Sequence, residues 1–294
     1  MARIRLRRRP RDPEGRMSVI EHLRELRRRL IVVVIVIGLG AMVGWVFYGP
    51  ILAFMKHPYC SVPYDHRLGG VKGDGDKCEL YFTAPLDGFT TRLKVSVIAG
   101  TILTGPIWLY QIWGFITPGL RRNERRYSLA FIVTSTVLFA GGIALAYAVL
   151  TKGLNLIITT AGSGTAAALT INSYLNFVVL MLVVFGAAFE LPLLVVMANL
   201  AGVLSAAVLK KSQRVAIFLI FLFAAVATPS TDPFTMCAMA VPMCILFEGA
   251  VLFAVVHDRR KARRVLAATP PDDVASTIDP IPRPISPDDF SDST

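Results

Sequence analysis

The sequence has no glycine-rich phosphate loop, no HExxH pair, and no Ser, His and Asp set in a recognisable local arrangement. Nucleotide-driven, metalloprotease and triad chemistry have no foothold, so the chain is read as a non-enzyme. Histidine is scarce: His22, His57, His66 and His257 are scattered over connecting stretches and segment ends. A metal centre needs several such ligands converging, so no metal and no other cofactor is expected. Charge is scarce as well, with only 17% of the 294 residues Asp, Glu, Lys or Arg.

What fills the space is apolar. Hydrophobic residues make up 54% of the chain and its mean hydropathy is +0.58, more than a soluble core of this size can hide. Crossing about 30 Å of hydrocarbon takes about 20 residues of helix. Six runs are candidates: Leu30–Tyr48, Val95–Ile116, Leu129–Leu150, Tyr174–Ala201, Val215–Ala227 and Met236–Val256. The first is too long for a cleaved secretory signal and no small-x-small site follows it, so it is expected to remain as a span. The fifth would reach only about 20 Å, and TPSTDP with Phe234 and Thr235 joins it to the sixth as a tight hairpin or re-entrant unit.

The charge that is present has a direction. Placing the N-terminus in the cytoplasm puts 24 of the 31 lysines and arginines on that side, which the positive-inside rule favours and which returns the C-terminus to the same side. Basic flanks beside anionic lipid account for the net charge of +11 without nucleic acid. Residues 1–17 read as a disordered basic tail, 18–257 as a six-span membrane domain, and 258–294 as a disordered Pro-, Asp- and Ser-rich cytoplasmic tail. Cys60 and Cys78 share one outer loop, Pro50–Gly88, where an oxidising compartment permits a disulfide but spacing does not require one. Cys237 and Cys244 fall on one face of the sixth span, where packing is the default role.

Before the first span stands HLRELRRRL. Ser18 and Glu21 form a capping box, so a helix is expected from Val19. Val19, Leu23, Leu26 and Leu30 form a stripe suited to the membrane interface, while Glu25 projects about 140° away, toward the cytosol. Glu25 can pair with Arg28 or Arg29 in its own helix, or it can be kept for something else. Glu124, in GLRRNERRY, sits where Asn123 could cap the third helix and leave a carboxylate in its first turn. Inside the membrane Glu190, in FGAAFELPLLVV with Pro192 just behind it, is either a functional site or a hydrogen-bonding link to a neighbouring helix. Gln111 and Glu248 lie nearer the cytoplasmic ends, and Asp232 is placed to cap the sixth helix.

Four segments taken together, HLRELRRRL, PIWLYQIWGFITPGLRRNERR, FGAAFELPLLV and TPSTDPFTMCAMAVPMCILFE, resemble the TatC family, the large multispanning subunit of the twin-arginine protein translocase. The resemblance runs from about Ser18 to Val256. It implies recognition of signal peptides bearing paired arginines and export of folded proteins across the bacterial cell membrane, driven by the proton motive force. It also implies small single-span TatA-type and TatB-type partners and an oligomeric complex. By resemblance, Glu25 and Glu124 match glutamates that bind the signal peptide, and carboxylates can accept a guanidinium bidentately. Leu23, Leu26 and Arg27 match the first motif. Phe115, Pro118, Leu120, Arg125 and Arg126 match the first cytoplasmic loop. Pro58 and Pro106 match structural prolines, and Glu190 matches a buried glutamate on a concave face.

The sequence is therefore read as an all-α integral membrane protein with six transmembrane helices, both termini cytoplasmic, and an N-terminal interfacial amphipathic helix. A proton-coupled secondary transporter using Glu190 is the alternative, and a scaffold a third reading. The transporter lacks a matching pair of broken helices in two halves.

Overall fold

The structure is a computed structural model that describes residues 19–62, 80–116, 125–160, 170–228 and 232–268. The described residues form nine helices and one isolated bridge between Tyr81 and Thr170. The helices are α1 (Val19–Val46), α2 (Tyr48–Cys60), α3 (Asp87–Leu103), α4 (Gly105–Ile116), α5 (Arg125–Thr160), α6 (Ile171–Leu200), α7 (Ala206–Lys211), α8 (Gln213–Ala227) and α9 (Pro233–Ala268). This is an all-α membrane fold. Four helices are long and apolar enough to span, α3 and α4 are so only when taken together as one bent pair, and α8 is a shorter apolar helix of 15 residues.

α6 is the centre. Tyr174, Leu175, Val178, Met181 and Phe185 are almost wholly buried, meeting Leu150 of α5 and Met239 and Met243 of α9. Being apolar on all sides, α6 suits surroundings of other helices. α1 is the opposite case, because only Gly40 and Gly44 are buried along its length. Those two glycines let α1 meet α3 backbone to backbone: a Cβ on Gly44 would lie 3.1 Å from the Cα of Ser96, and one on Gly40 would lie 2.9 Å from the carbonyl oxygen of Gly100. Small residues at such crossings are the usual way for membrane helices to gain packing.

Four expectations change. The amphipathic stretch from Val19 to Leu30 is not a separate interfacial helix, since α1 runs unbroken from Val19 to Val46 with no glycine or proline before Gly38 to interrupt it. The first stretch of the outer loop is helical: α2 lies there, held by the hydroxyl of Tyr174 donating to the Met55 carbonyl at 2.7 Å. Pro58, inside α2, has no N–H for the Phe54 carbonyl four residues back. The hydroxyl of Tyr147 takes that carbonyl instead, at 3.0 Å, with its ring stacked on Phe54 at 4.4 Å.

The second span is broken. α3 and α4 meet at 61° around Thr104, because Pro106 cannot donate to the carbonyl of Ile102. Trp108 repairs part of the break, its indole N–H reaching the Thr101 carbonyl at 2.9 Å. Last, the helix of the sixth run continues past residue 257, the expected end of the membrane domain. α9 continues to Ala268, and Asp258 accepts the Ala206 N–H at 2.8 Å and the Asn199 amide at 3.3 Å, fixing the α6–α7 turn to α9. Asp232 caps the other end of α9, accepting from the N–H of Thr235 at 2.8 Å and its hydroxyl at 2.6 Å.

Candidate functional site

The bend at Pro106 sends the C-terminal end of α4 against the first turns of α1. His22 stacks on Phe115 with ring centroids 4.3 Å apart and planes 19° apart. About two helical turns further along α1, Arg29 bridges the two helices: Nη1 donates to the Gln111 carbonyl at 3.2 Å. Its Nε and Nη2 both donate to Oε1 of Glu25, at 3.0 and 2.6 Å. Leu23 and Leu26 are exposed, and Glu25, partly exposed itself, reaches α4 only through Arg29. Pair and bridge close one side of a groove of about 800 Å³ lined by Glu21, Glu25, Arg24, Arg27, Arg28 and Arg29, with Tyr110 and Gln111 across from them. The fit of Arg29 against α4 depends on Gly114, where any Cβ would overlap Nη1.

Of the other residues singled out for this region, Pro118, Leu120 and Glu124 lie outside the described residues. Arg125 and Arg126 open α5, and their side chains are likewise outside the description.

Glu190 occupies a different place. It lies on α6 ten residues before Leu200, so about 15 Å from that helix end. The hydroxyl of Ser135 on α5 donates to its Oε2 at 2.7 Å and itself accepts the indole N–H of Trp113 on α4, at 2.8 Å. Its Oε1 is buried without a hydrogen-bond partner among the described residues. Three helices thus converge on one carboxylate above the apolar cluster of Leu109, Phe131, Phe139, Leu193 and Met197. Glu248 joins α9 to α8 by accepting from the Gln213 amide. Cys60 is disulfide-bonded, Cys237 and Cys244 are free thiols, and Cys78 lies outside the described residues. Among the described residues no group of three or more His, Cys, Asp or Glu side chains could hold a metal ion.

Sequence reasoning missed Ser135, Trp113 and Gly114. A lone serine in an apolar helix is the signal that could have found Ser135, since its hydroxyl needs a partner there.

A family model described as "Sec-independent protein translocase protein (TatC)" matches residues 21–242. The chain belongs to the TatC family. TatC relatives include that of Frankia casuarinae, 47% identical over 85% of this chain and 69% of the other, and that of Corynebacterium kroppenstedtii, 40% identical over 86% of this chain. This chain spans 65% of the length of the second relative. A crystal structure described as the twin arginine translocase receptor TatC in DDM aligns with a TM-score of 0.64 at 29% identity, over 79% of this chain and 99% of that one. As a TatC protein the chain is a non-enzymatic, membrane-embedded component of a protein translocase. The transporter alternative finds no support among these TatC relatives.

Proposed function

We propose that the chain is the receptor subunit that reads twin-arginine signal peptides for export of folded proteins, powered by the proton motive force. The supporting observation is the junction of α1 with the end of α4. There a half-buried carboxylate, Glu25, stands at the edge of a groove of about 800 Å³. A carboxylate in partly dehydrated surroundings binds a guanidinium more strongly than an open surface can. Glu25 and Glu124 are the proposed counter-charges, with Leu23, Leu26, Arg27, Phe115, Pro118, Leu120, Arg125 and Arg126 shaping the approach. Glu190 and Gln111 are proposed as intramembrane functional groups, and TatA-type and TatB-type single-span proteins as partners in an oligomeric complex.

Six spans with both termini cytoplasmic, in the bacterial cell membrane, complete the reading. The basic segments at the α1 start, the α4–α5 connection, the α7 region and the α9 end support it.

The test replaces Glu25 and Glu124 by Ala, singly and together, and measures crosslinking of a twin-arginine signal peptide alongside export of a folded reporter. Crosslinking is expected to fall in each single variant and to vanish in the double. Crosslinking that survives the double substitution would end the receptor-site assignment, whereas lost export with intact crosslinking would move both glutamates to a later step.

A further inference from the structure

We propose that Arg29 is a built-in placeholder for the incoming arginine: in the resting chain it occupies the Glu25 carboxylate, and it must let go before a signal arginine binds there. The inference rests on the receptor reading above and adds a threshold to it.

The chemistry of the resting contact matches that of the proposed ligand. A guanidinium lies against Oε1 of Glu25 through two of its nitrogens, and the third reaches the Gln111 carbonyl. Arg29 therefore engages all three of its guanidinium nitrogens, two on Oε1 of Glu25 and one on α4, in the planar geometry that makes arginine a better carboxylate partner than lysine.

Charge makes the arrangement consequential. Four arginines and two glutamates line the groove. The described groove is net positive whether Arg29 is paired or released, so what the pairing hides is local: the negative charge of Glu25 itself. Releasing Arg29 restores one full negative charge at the point where the peptide must bind.

The lock is shallow, because the pair is partly exposed, at 23% and 26% for the two side chains, and spans one helical turn. Pairs of that kind are weak. Exchange of one guanidinium for another also leaves the carboxylate paired at the end, so no buried charge is stranded once the exchange is complete. A lysine, with a single point charge, cannot reproduce the two-nitrogen contact it would have to displace. The placeholder thereby raises the requirement from a positive charge to an arginine.

The experiment uses the full-length chain in lipid nanodiscs. The probe is a fluorescent synthetic peptide carrying two consecutive arginines ahead of an apolar run, and its affinity is read by anisotropy. Two variants release Arg29 by different means. Arg29→Gln removes the guanidinium, and Gly114→Ala keeps every charge but places a methyl where Nη1 now sits. Both are expected to tighten binding, Arg29→Gln by about twofold to fivefold, the factor that freeing a weak partly exposed pair supplies. In a Glu25→Gln background the gain from Arg29→Gln should disappear.

Unchanged or weakened binding in both variants would overturn the proposal and make Arg29 a positioning residue for Glu25 or a bystander. So would an equal gain from Arg28→Gln, which removes the same charge from the same groove without a described contact to Glu25. A gain that persists without the Glu25 carboxylate would also overturn it. Failure of the receptor reading has a separate signature: Glu25→Gln alone would leave the affinity of the otherwise native chain unchanged.

Discussion

At Asp87, just ahead of the apolar part of α3, one carboxylate ties three segments together. Its Oδ2 accepts the N–H groups of Thr83 and Ala84, each at 2.8 Å, and the Thr83 hydroxyl at 3.2 Å. Its Oδ1 accepts the amide of Asn172, on α6, at 2.5 Å. The backbone N–H groups of Ala84 and then Thr83 hold this carboxyl below the usual aspartate range. The linkage sign follows: a folded pKa below the unfolded value means stability fully present above about pH 4 and lost as pH falls through the folded value. Thermal unfolding in detergent from pH 8 down to pH 3 is expected to show Asp87→Asn melting lower than the native chain at neutral pH, the gap closing in acid. A gap that stays constant with pH would show that the ionised carboxylate is not what joins α3 to α6. Nothing in the sequence announces this role. Asp87 stands in an unremarkable polar stretch, and its partner Asn172 is 85 residues away. Glu25 differs, because its intrahelical partner could be read from spacing, while the α4 carbonyl and Gly114 that frame the pair could not.

For the helices, hydropathy located the apolar elements and proline placed their faults. The six apolar runs are almost wholly helical, but the first passes from α1 into α2 and the second crosses from α3 into α4, so the turn at Thr104 and the helix in the outer loop were hidden. Hydropathy averages over a window, and neither Pro106 nor Pro58 lowers that average enough to show. Close helix contact was equally invisible, since a glycine in a membrane helix reads the same whether it faces lipid or a neighbour. Gly100 and Gly38 separate those cases. A Cβ on Gly100 would overlap the Ala41 nitrogen and lie 2.6 Å from the Gly40 carbonyl carbon, whereas one on Gly38 meets nothing within 4 Å. Backbone cannot yield as a side-chain tip can, so Gly100→Ala is expected to cost about 1–3 kcal/mol by overpacking, and Gly38→Ala to be neutral or slightly stabilising through helix propensity. Melting temperature and membrane accumulation of the two variants provide the comparison. Equal behaviour would mean that α1 and α3 do not meet through these glycines.

Across the whole molecule the proposed orientation puts 24 of the 31 lysines and arginines on the cytoplasmic side and the disulfide-bonded Cys60, at the end of α2, on the outer side. That orientation rests on charge asymmetry in the sequence, because lysine and arginine cross a membrane at high cost. The bonding state of Cys60 was not readable, since spacing within a loop leaves pairing open. Of the four cysteines in the chain, Cys237 and Cys244 are free thiols on α9, which makes Cys78 the proposed partner of Cys60. One labelling experiment examines orientation and pairing together. Intact cells treated with a membrane-impermeant maleimide are expected to leave Cys60 and Cys78 unlabelled until an impermeant reductant is added, after which both should react. Inside-out vesicles given the same reagents should label neither, because the loop then faces the lumen. Cys60→Ser should leave Cys78 reactive in intact cells without reductant. Labelling confined to inside-out vesicles would reverse the proposed orientation while sparing the disulfide, and labelling of both cysteines in intact cells without reductant would remove the disulfide while sparing the orientation. The two properties are separable because one depends on which side the reagent can reach and the other on whether a thiolate exists to attack it.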